Sequence, residues 1–245
     1  MFVLLEIFCI VMRMKAIILA GGMGTRLRPI TYEIPKPLVP VKKKPIINHL
    51  IDFFHKHGVD KIGVLASRSH RKDFKKWRRT WEKNMPSEKI EMFYEKTPRG
   101  TFGGMELVKE WLGNETFLLT NGDELKEFDL KSIKEFHGSH DGVGTIWLVE
   151  VPNANEYGVP ILDGQKITEF LEKPENPPSK FINSGLYMFD PKVFDYADFS
   201  QEKISTERDI FPKLAKEGKL FGHKAEGRWY DCGNLERWEK AIREW

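Results

Sequence analysis

Lys15-Ala16-Ile17-Ile18-Leu19-Ala20-Gly21-Gly22-Met23-Gly24-Thr25-Arg26-Leu27-Arg28-Pro29, with Lys36-Pro37-Leu38 shortly after, decides how this chain is read. The apolar run Lys15–Leu19 predicts a buried strand. Glycines at 21, 22 and 24 then let the backbone turn sharply and come close to a ligand. Amide groups bared in such a turn form an anion-binding concavity. Arg26 adds a planar fork suited to phosphate oxygens, and Lys36 a mobile point charge. The expectation is a triphosphate-binding loop at the carboxyl end of a first strand. The lysine does not directly follow a glycine, so this is not the Gly-x-x-x-x-Gly-Lys loop, and the dinucleotide spacing is absent too.

The 245 residues suffice for one large α/β domain. A net charge of +3 gives little reason to expect nucleic acid or a membrane as partner. Cys9 and Cys232 are too few for a disulfide framework and match no zinc spacing, so a cytoplasmic protein is expected. Met1 to Met12 is almost wholly apolar, interrupted by Glu6, and too short to span a bilayer; with Arg13 it makes up residues 1–13. They are read as an N-terminal extension created by a misassigned start, with translation beginning at Met14 or Met12. The alternative is a genuine apolar segment packed on the surface or on another subunit. Residues 14–245 are expected to form a single domain.

Proline and lysine between Thr31 and Lys44 predict an ordered loop. A helix then opens at Pro45 and stops at Gly58, with Ile46, Ile47, Leu50, Ile51, Phe53 and Phe54 on its apolar face. Lys61–Ala66 is a second strand. Arg71, Lys72, Lys75, Lys76, Arg78 and Arg79 suggest a nucleic-acid patch, but Phe74, Trp77 and Trp81 recur at helical spacing, so the segment is an amphipathic helix with a solvated basic face. After a strand at Ile90–Tyr94 comes a second glycine-rich loop, Glu95 to Gly104, and a helix through Leu112. Thr116–Thr120 is a short strand ending in Asn121-Gly122-Asp123. A carboxylate just past a buried strand is a usual site of chemistry in open α/β sheets. Strand and helix alternate to about Phe136, which implies a doubly wound parallel sheet. The second half is richer in strands: 143–151, 158–162, 166–171 and 181–189. Helices are expected at 191–196, 206–217 and 235–245. Trp111, Trp147 and Trp238 are assigned to the core.

Taken in order, several motifs resemble the sugar-1-phosphate nucleotidyltransferases, or nucleotide-sugar pyrophosphorylases. They are Leu19 to Leu27, Pro35-Lys36-Pro37-Leu38, Gly100-Thr101-Phe102-Gly103-Gly104, Asn121-Gly122-Asp123, Tyr157-Gly158-Val159, Phe170 to Pro174, Ile182 to Tyr187, and Trp229 to Gly233. The resemblance spans Lys15 to Trp245. It implies a Rossmann-like, doubly wound, mostly parallel sheet with a strand-rich sugar-binding half. It also implies a reaction in which a nucleoside triphosphate and a sugar 1-phosphate give a nucleotide-sugar and pyrophosphate. By that pattern Leu19, Ala20, Gly21, Gly22, Gly24 and Thr25 hold the nucleotide. Arg26, Lys36 and Lys173 are the catalytic cations, with Arg26 on the leaving pyrophosphate and Lys173 on the sugar-side phosphate. Glu95, Gly100 and Thr101 read the base. Tyr157, Gly158, Glu172 and Asn183 form the sugar pocket. Asp123, which also faces the nucleotide, and Asp231 bind Mg²⁺, a hard cation that prefers oxygen ligands.

Two departures bear on the base. Where many relatives have Leu-Gly-Asp, this chain has Asn121-Gly122-Asp123, and Asn-Gly-Asp is the form found among guanylyl- and heptose-phosphate-type branches. Glu95 stands where thymidylyl and uridylyl enzymes carry glutamine. A carboxylate accepts from both N1–H and the N2 amine of guanine, whereas uracil and thymine offer N3–H alone. Mannose 1-phosphate, or heptose 1-phosphate, with GTP is therefore the first choice, within short mannose-1-phosphate guanylyltransferase-like forms. Glucose 1-phosphate with dTTP or UTP is the alternative, and a choline-phosphate-type cytidylyl transfer a further one. From another class, a non-catalytic regulatory subunit that binds nucleotide-sugars remains a rival. A homo-oligomer is left open.

Overall fold

A computed structural model describes residues 14–85, 89–224 and 226–245. The expectations for residues 1–13, including Cys9, lie outside the described residues. The strands in chain order are β1 Lys15–Ala20, β2 Pro40–Val41, β3 Lys44–Pro45, β4 Lys61–Ser67, β5 Ile90–Glu95, β6 Phe117–Asn121, β7 Glu124–Phe128, β8 Gly144–Glu150, β9 Gly158–Asp163, β10 Lys166–Glu172, β11 Phe181–Phe189, β12 Leu220–Lys224 and β13 Gly227–Asp231.

Nine of them make one sheet, in the order β5-β4-β1-β6-β11-β8-β12-β10-β9. β5, β4, β1 and β6 run parallel, so their carboxyl ends share one edge. β11 enters antiparallel to β6 and β8, and β12 lies parallel to β8. The β9–β10 hairpin joins β12 through the Lys166–Phe221 pair. The α/β class and the strand-rich second half are as expected. β7 and β13 had not been anticipated: they pair as a separate ribbon, with Asp231 opposite Glu124.

β1 shows how the sheet sorts its side chains. Ala16, Ile18 and Ala20 face one core, with Ile47, Leu50, Phe54, Phe74 and Trp77 from the helices Ile46–Lys56 and Arg71–Trp81. Ile17 faces the other, with Phe102, Met105, Phe189 and Phe211. This period-two division follows from the pleat, and helices on both faces make the sheet doubly wound. The basic side of Arg71–Trp81 is largely exposed, while Phe74 and Trp77 are buried. Gly58 takes a left-handed φ of 73° just past the first of these helices, which a Cβ would resist. The helix expected after Gly104 begins earlier, with an α turn at Gly100–Gly103 inside the expected loop, and runs through a 3₁₀ stretch to an α turn at Lys109–Leu112, while 206–216 opens as a π turn before becoming α.

A third core positions the site. Leu27, Val39, Val41, Ile46, Leu125, Cys232 and Ala241 are buried together. They bind the glycine-rich loop, the β2–β3 hairpin, the β7–β13 ribbon and the C-terminal helix Leu235–Glu244 into one unit. Burying a side chain such as Leu27 contributes about 1.5–3 kcal/mol. The loop after β1 is thereby anchored to the ribbon that carries Asp231.

Candidate active site

At the carboxyl ends of β1, β5 and β6 lies a cavity of about 370 Å³. Leu19, Ala20, Gly21, Gly22, Lys36, Glu95, Gly100, Thr101 and Asp123 line it, together with Asn121, Gly122 and Glu207. Glycine is required at several of these positions by close approach. A Cβ at Gly21 would stand 2.8 Å from Glu95 Oε2, and one at Gly104 would run into the same carboxylate. The Gly122 N–H donates to the Leu19 carbonyl at 2.9 Å, and a Cβ there would collide with that oxygen. Glu95 is thus packed between two glycine backbones and is only 6% exposed. Burial pushes its carboxyl above the ordinary range, against the hydrogen bond from the Arg99 N–H and the charge of Arg99.

Lys36 is buried at the start of the turn Lys36–Leu38 and ion-pairs with Asp123. Burial alone would raise the Asp123 carboxyl. The Lys36 ammonium, as charge and as donor, overrides it with help from Lys126, and Asp123 lies below the usual range. The Cys232 N–H donates to the Asp123 carbonyl at 3.0 Å, which brings Asp231 beside it. Asp231 is held by Arg237. Behind these two, Glu124 bonds the buried Lys126 ammonium at 2.5 Å and accepts from Asn121 at 3.0 Å. Burial and the charges of Asp123 and Asp231 push Glu124 up to about 7, against Lys126. Among the described residues no three His, Cys, Asp or Glu side chains are grouped as a metal cage. The oxygen ligands the chain would offer a cation here are Asp123 and Asp231, ion-paired to Lys36 and to Arg237 respectively, with phosphate oxygens and water to complete the shell. That donor set fits Mg²⁺.

The other side of the site is wider. A groove of about 710 Å³ runs past Tyr157, Trp229, Asp231 and Arg237. Tyr157 meets Trp229 edge to face at 5.5 Å, and the Trp229 indole donates to the Ser184 carbonyl at 3.1 Å. In β11 the register breaks between Asn183 and Tyr187. Such a bulge re-aims side chains. The Asn183 amide donates to the Tyr187 hydroxyl at 2.8 Å and its oxygen accepts from Gly185 N–H at 2.9 Å. Gly185, with φ of 64°, lies against Asn121 and Glu124, where a Cβ would collide. Gly158 packs under the Phe170 ring. Glu172 pairs with Lys173 at 3.8 Å. Burial and then the nearby Glu207 raise its pKa.

Nine residues predicted for the nucleotide or catalytic roles meet at the cavity. Gly24, Thr25 and Arg26 do not line it. Gly24 turns with φ of 61° beneath Thr31, and the 3₁₀ turn Thr25–Leu27 then buries Leu27 while Arg26 points to solvent. Lys173 is also exposed, in a left-handed turn with φ of 53°, and its N–H donates to the Tyr157 carbonyl at 3.1 Å. The Thr101 hydroxyl donates to Glu207 at 2.8 Å. Glu207 and Arg237 were missed by sequence reasoning. Ser205-Thr206-Glu207 reads only as a helix start, and Ser205 does cap that turn. The π turn that follows is a feature common at functional sites, but it is visible only in the structure.

Known proteins share this architecture. The chain is 39% identical over 224 residues to mannose-1-phosphate guanyltransferase beta-B of Xenopus laevis, covering 90% of this chain and 61% of that protein. It is 36% identical over 235 residues to mannose-1-phosphate guanylyltransferase 1 of Arabidopsis thaliana, covering 94% and 64%. The chain thus spans under two thirds of the length of these relatives. The crystal structure of HddC from Yersinia pseudotuberculosis complexed with GMP-PN superposes with a TM-score of 0.78 at 29% identity, covering 94% of this chain and 99% of that one. The sequence profile of the nucleotidyl transferase family matches residues 15–244, and the chain belongs to that family.

Proposed function

We propose that residues 14–245 form a single domain that transfers a nucleoside monophosphate from a nucleoside triphosphate to a sugar 1-phosphate, releasing pyrophosphate. GTP and mannose 1-phosphate are the substrate pair in this reading, and the cytoplasm its compartment. The carrying observation is the cavity in which bare glycine backbone, the Lys36–Asp123 pair and the buried Glu95 carboxylate converge at the ends of parallel strands. Relatives named as mannose-1-phosphate guanylyltransferases support the choice of sugar and base. So does a carboxylate at Glu95, which suits the two donors of guanine.

In this reading Gly21 and Gly22 present their amides to the triphosphate, and Glu95 holds the base. Lys36 neutralises charge at the α-phosphate. An oxygen of the sugar phosphate attacks the α-phosphorus in line. The bond to pyrophosphate breaks with its electron pair leaving on that group, and Arg26 meets the charge that grows there. The chain's part is positioning and charge stabilisation, as in phosphoryl transfer generally. Asp123 and Asp231 would hold Mg²⁺, which when bound would supply Lewis-acid polarisation of the phosphate. Asn183, Glu172, Tyr157 and Gly158 shape the sugar side, with Lys173 on its phosphate.

Pyrophosphate release measured across GTP, UTP, dTTP, ATP and CTP with a panel of sugar phosphates tests the reading. Turnover is expected, fastest with GTP and mannose 1-phosphate. Turnover preferring dTTP or UTP with glucose 1-phosphate replaces the substrate assignment, and no turnover with any pair overturns the enzyme. Asp123→Asn is expected to shift the Mg²⁺ activation curve to higher concentration; an unchanged curve removes Asp123 from the metal role.

A further inference from the structure

Arg237 joins parts of the site that are far apart in sequence. Its guanidinium ion-pairs with Asp231 through one nitrogen and with Glu156 through the other, and it lies 4.6 Å from the centre of the Tyr157 ring. Arg237 and Asp231 are 15% and 10% exposed, so that pair is weakly screened, whereas Glu156 stands at the rim, 54% exposed. The residue stands in the first turn of the helix Leu235–Glu244, where Asn234 accepts its backbone N–H at 2.9 Å. A cation there opposes the helix dipole. Its placement is offset by the two carboxylates and the aromatic face, a set that suits arginine's planar fork. The connection runs further: Tyr157, which follows Glu156, holds the Lys173 N–H. Asp231, Glu156 and Tyr157 all line the wide groove, and none lines the nucleotide cavity.

We infer that Arg237 is a positioning residue that clamps the turn Ala154–Tyr157 onto Asp231, setting the affinity for the sugar 1-phosphate without setting that for the triphosphate. The clamp rests on the transferase reading for what each side binds. It has a second consequence. The guanidinium and a divalent cation compete for one carboxylate, so removing Arg237 loosens the sugar side and tightens the cation site. A merely structural loss would weaken both.

The wild type is assayed first for pyrophosphate release, and Mn²⁺ binding is read by electron paramagnetic resonance on the same full-length chain. Arg237→Ala is expected to raise the KM for mannose 1-phosphate about tenfold, a change of one contact's worth. At saturating Mg²⁺, where a tighter cation site no longer alters nucleotide binding, the KM for GTP should stay within about twofold, and Mn²⁺ should bind more tightly. Glu156→Gln removes the charge of the loop arm alone, leaving a neutral acceptor, so the sugar KM rises, less than in Arg237→Ala, while Mn²⁺ binding stays as in wild type. Arg237→Lys reaches one carboxylate rather than two and falls between. If Arg237→Ala does not fold, Glu156→Gln and Arg237→Lys carry the test. Equal rises in both KM values, weaker Mn²⁺ binding in Arg237→Ala, or a Glu156→Gln variant with a wild-type sugar KM overturns the clamp. A silent wild type overturns the transferase reading instead. Calorimetric titration of mannose 1-phosphate into the wild type and the variants then decides the clamp by the same ratios, and absence of binding to wild type ends it as well.

Discussion

Around the cavity at the strand ends bare glycine backbone makes the close approaches, whereas around the wide groove side chain reaches for side chain. Gly21 and Gly104 leave room for Glu95, and Gly122 sits on the Leu19 carbonyl. The cavity walls come from the ends of adjacent parallel strands, which the sheet already holds in register. The groove is built from the end of β8, the turn before β9, β13 and the C-terminal helix. Its geometry is kept by contacts such as Arg237 to Glu156 and Tyr157 to Trp229. In the proposed function the first wall would face phosphates and a base, and the second, whose side chains are free to change, is where the identity of the sugar would be set.

The largest test asks whether the nucleotide side is complete as it stands. Arg26 is exposed and makes no hydrogen bond or ion pair among the described residues. If it meets charge only as pyrophosphate leaves, Arg26→Ala should cut kcat by roughly 10²-fold, the scale of a lost transition-state donor. The melting temperature should not move. Near-normal turnover would remove Arg26 from the mechanism and leave Lys36 as the cation of that side.

Glycine substitutions separate close approach from open space. Gly122→Ala drives a methyl group into the Leu19 carbonyl and should cost about 1–3 kcal/mol of stability in a urea titration. At Gly22 nothing lies within 4 Å of an added Cβ, so Gly22→Ala should stay within about 0.5 kcal/mol while weakening triphosphate binding. Equal destabilisation at both positions would break the picture of a backbone-built wall. On the other side, Asn183→Ala removes the amide that fixes the bulge. It should raise the KM for the sugar 1-phosphate about tenfold, or ~1.4 kcal/mol, and leave the KM for GTP unchanged. A matching rise for GTP would mean the two sides are not separable.

The same contrast explains what could be read in the sequence. β1, β4, β5 and β6 were legible because they are short, largely apolar runs, two of which, β1 and β6, end at glycine, and the cavity was legible because close backbone approach leaves glycines at fixed spacing. Asp123 followed from its place after β6. The β7–β13 ribbon was not legible: Glu124-Leu125-Lys126 buries a charged pair where the pattern puts Leu125 inside and its neighbours in water. Glu207 and Arg237 lie on helix starts whose sequence signals only capping. What they touch depends on how distant segments pack, and one-dimensional periodicity carries none of that.

The smallest effect concerns pH and the base. Glu95 has a raised pKa because burial disfavours its charge. In the fold it therefore takes up a proton at a higher pH than in the unfolded chain. Its protonated form contributes stability that is fully present below the unfolded-state value and lost as pH rises through the folded one. Glu95→Gln should accordingly be slightly more stable than wild type at neutral pH, with the gain vanishing at acid pH. Binding runs the opposite way, since only the carboxylate accepts from both guanine donors. The preference for GTP over UTP, measured as a ratio of dissociation constants, should shrink severalfold as pH falls toward the raised pKa, while the Asp123–Lys36 pair, whose carboxyl is held low, stays ionised. In Glu95→Gln the ratio should be small and flat with pH. A wild-type ratio that does not change from neutral to mildly acid pH would take base reading away from Glu95 and leave it as packing between Gly21 and Gly104.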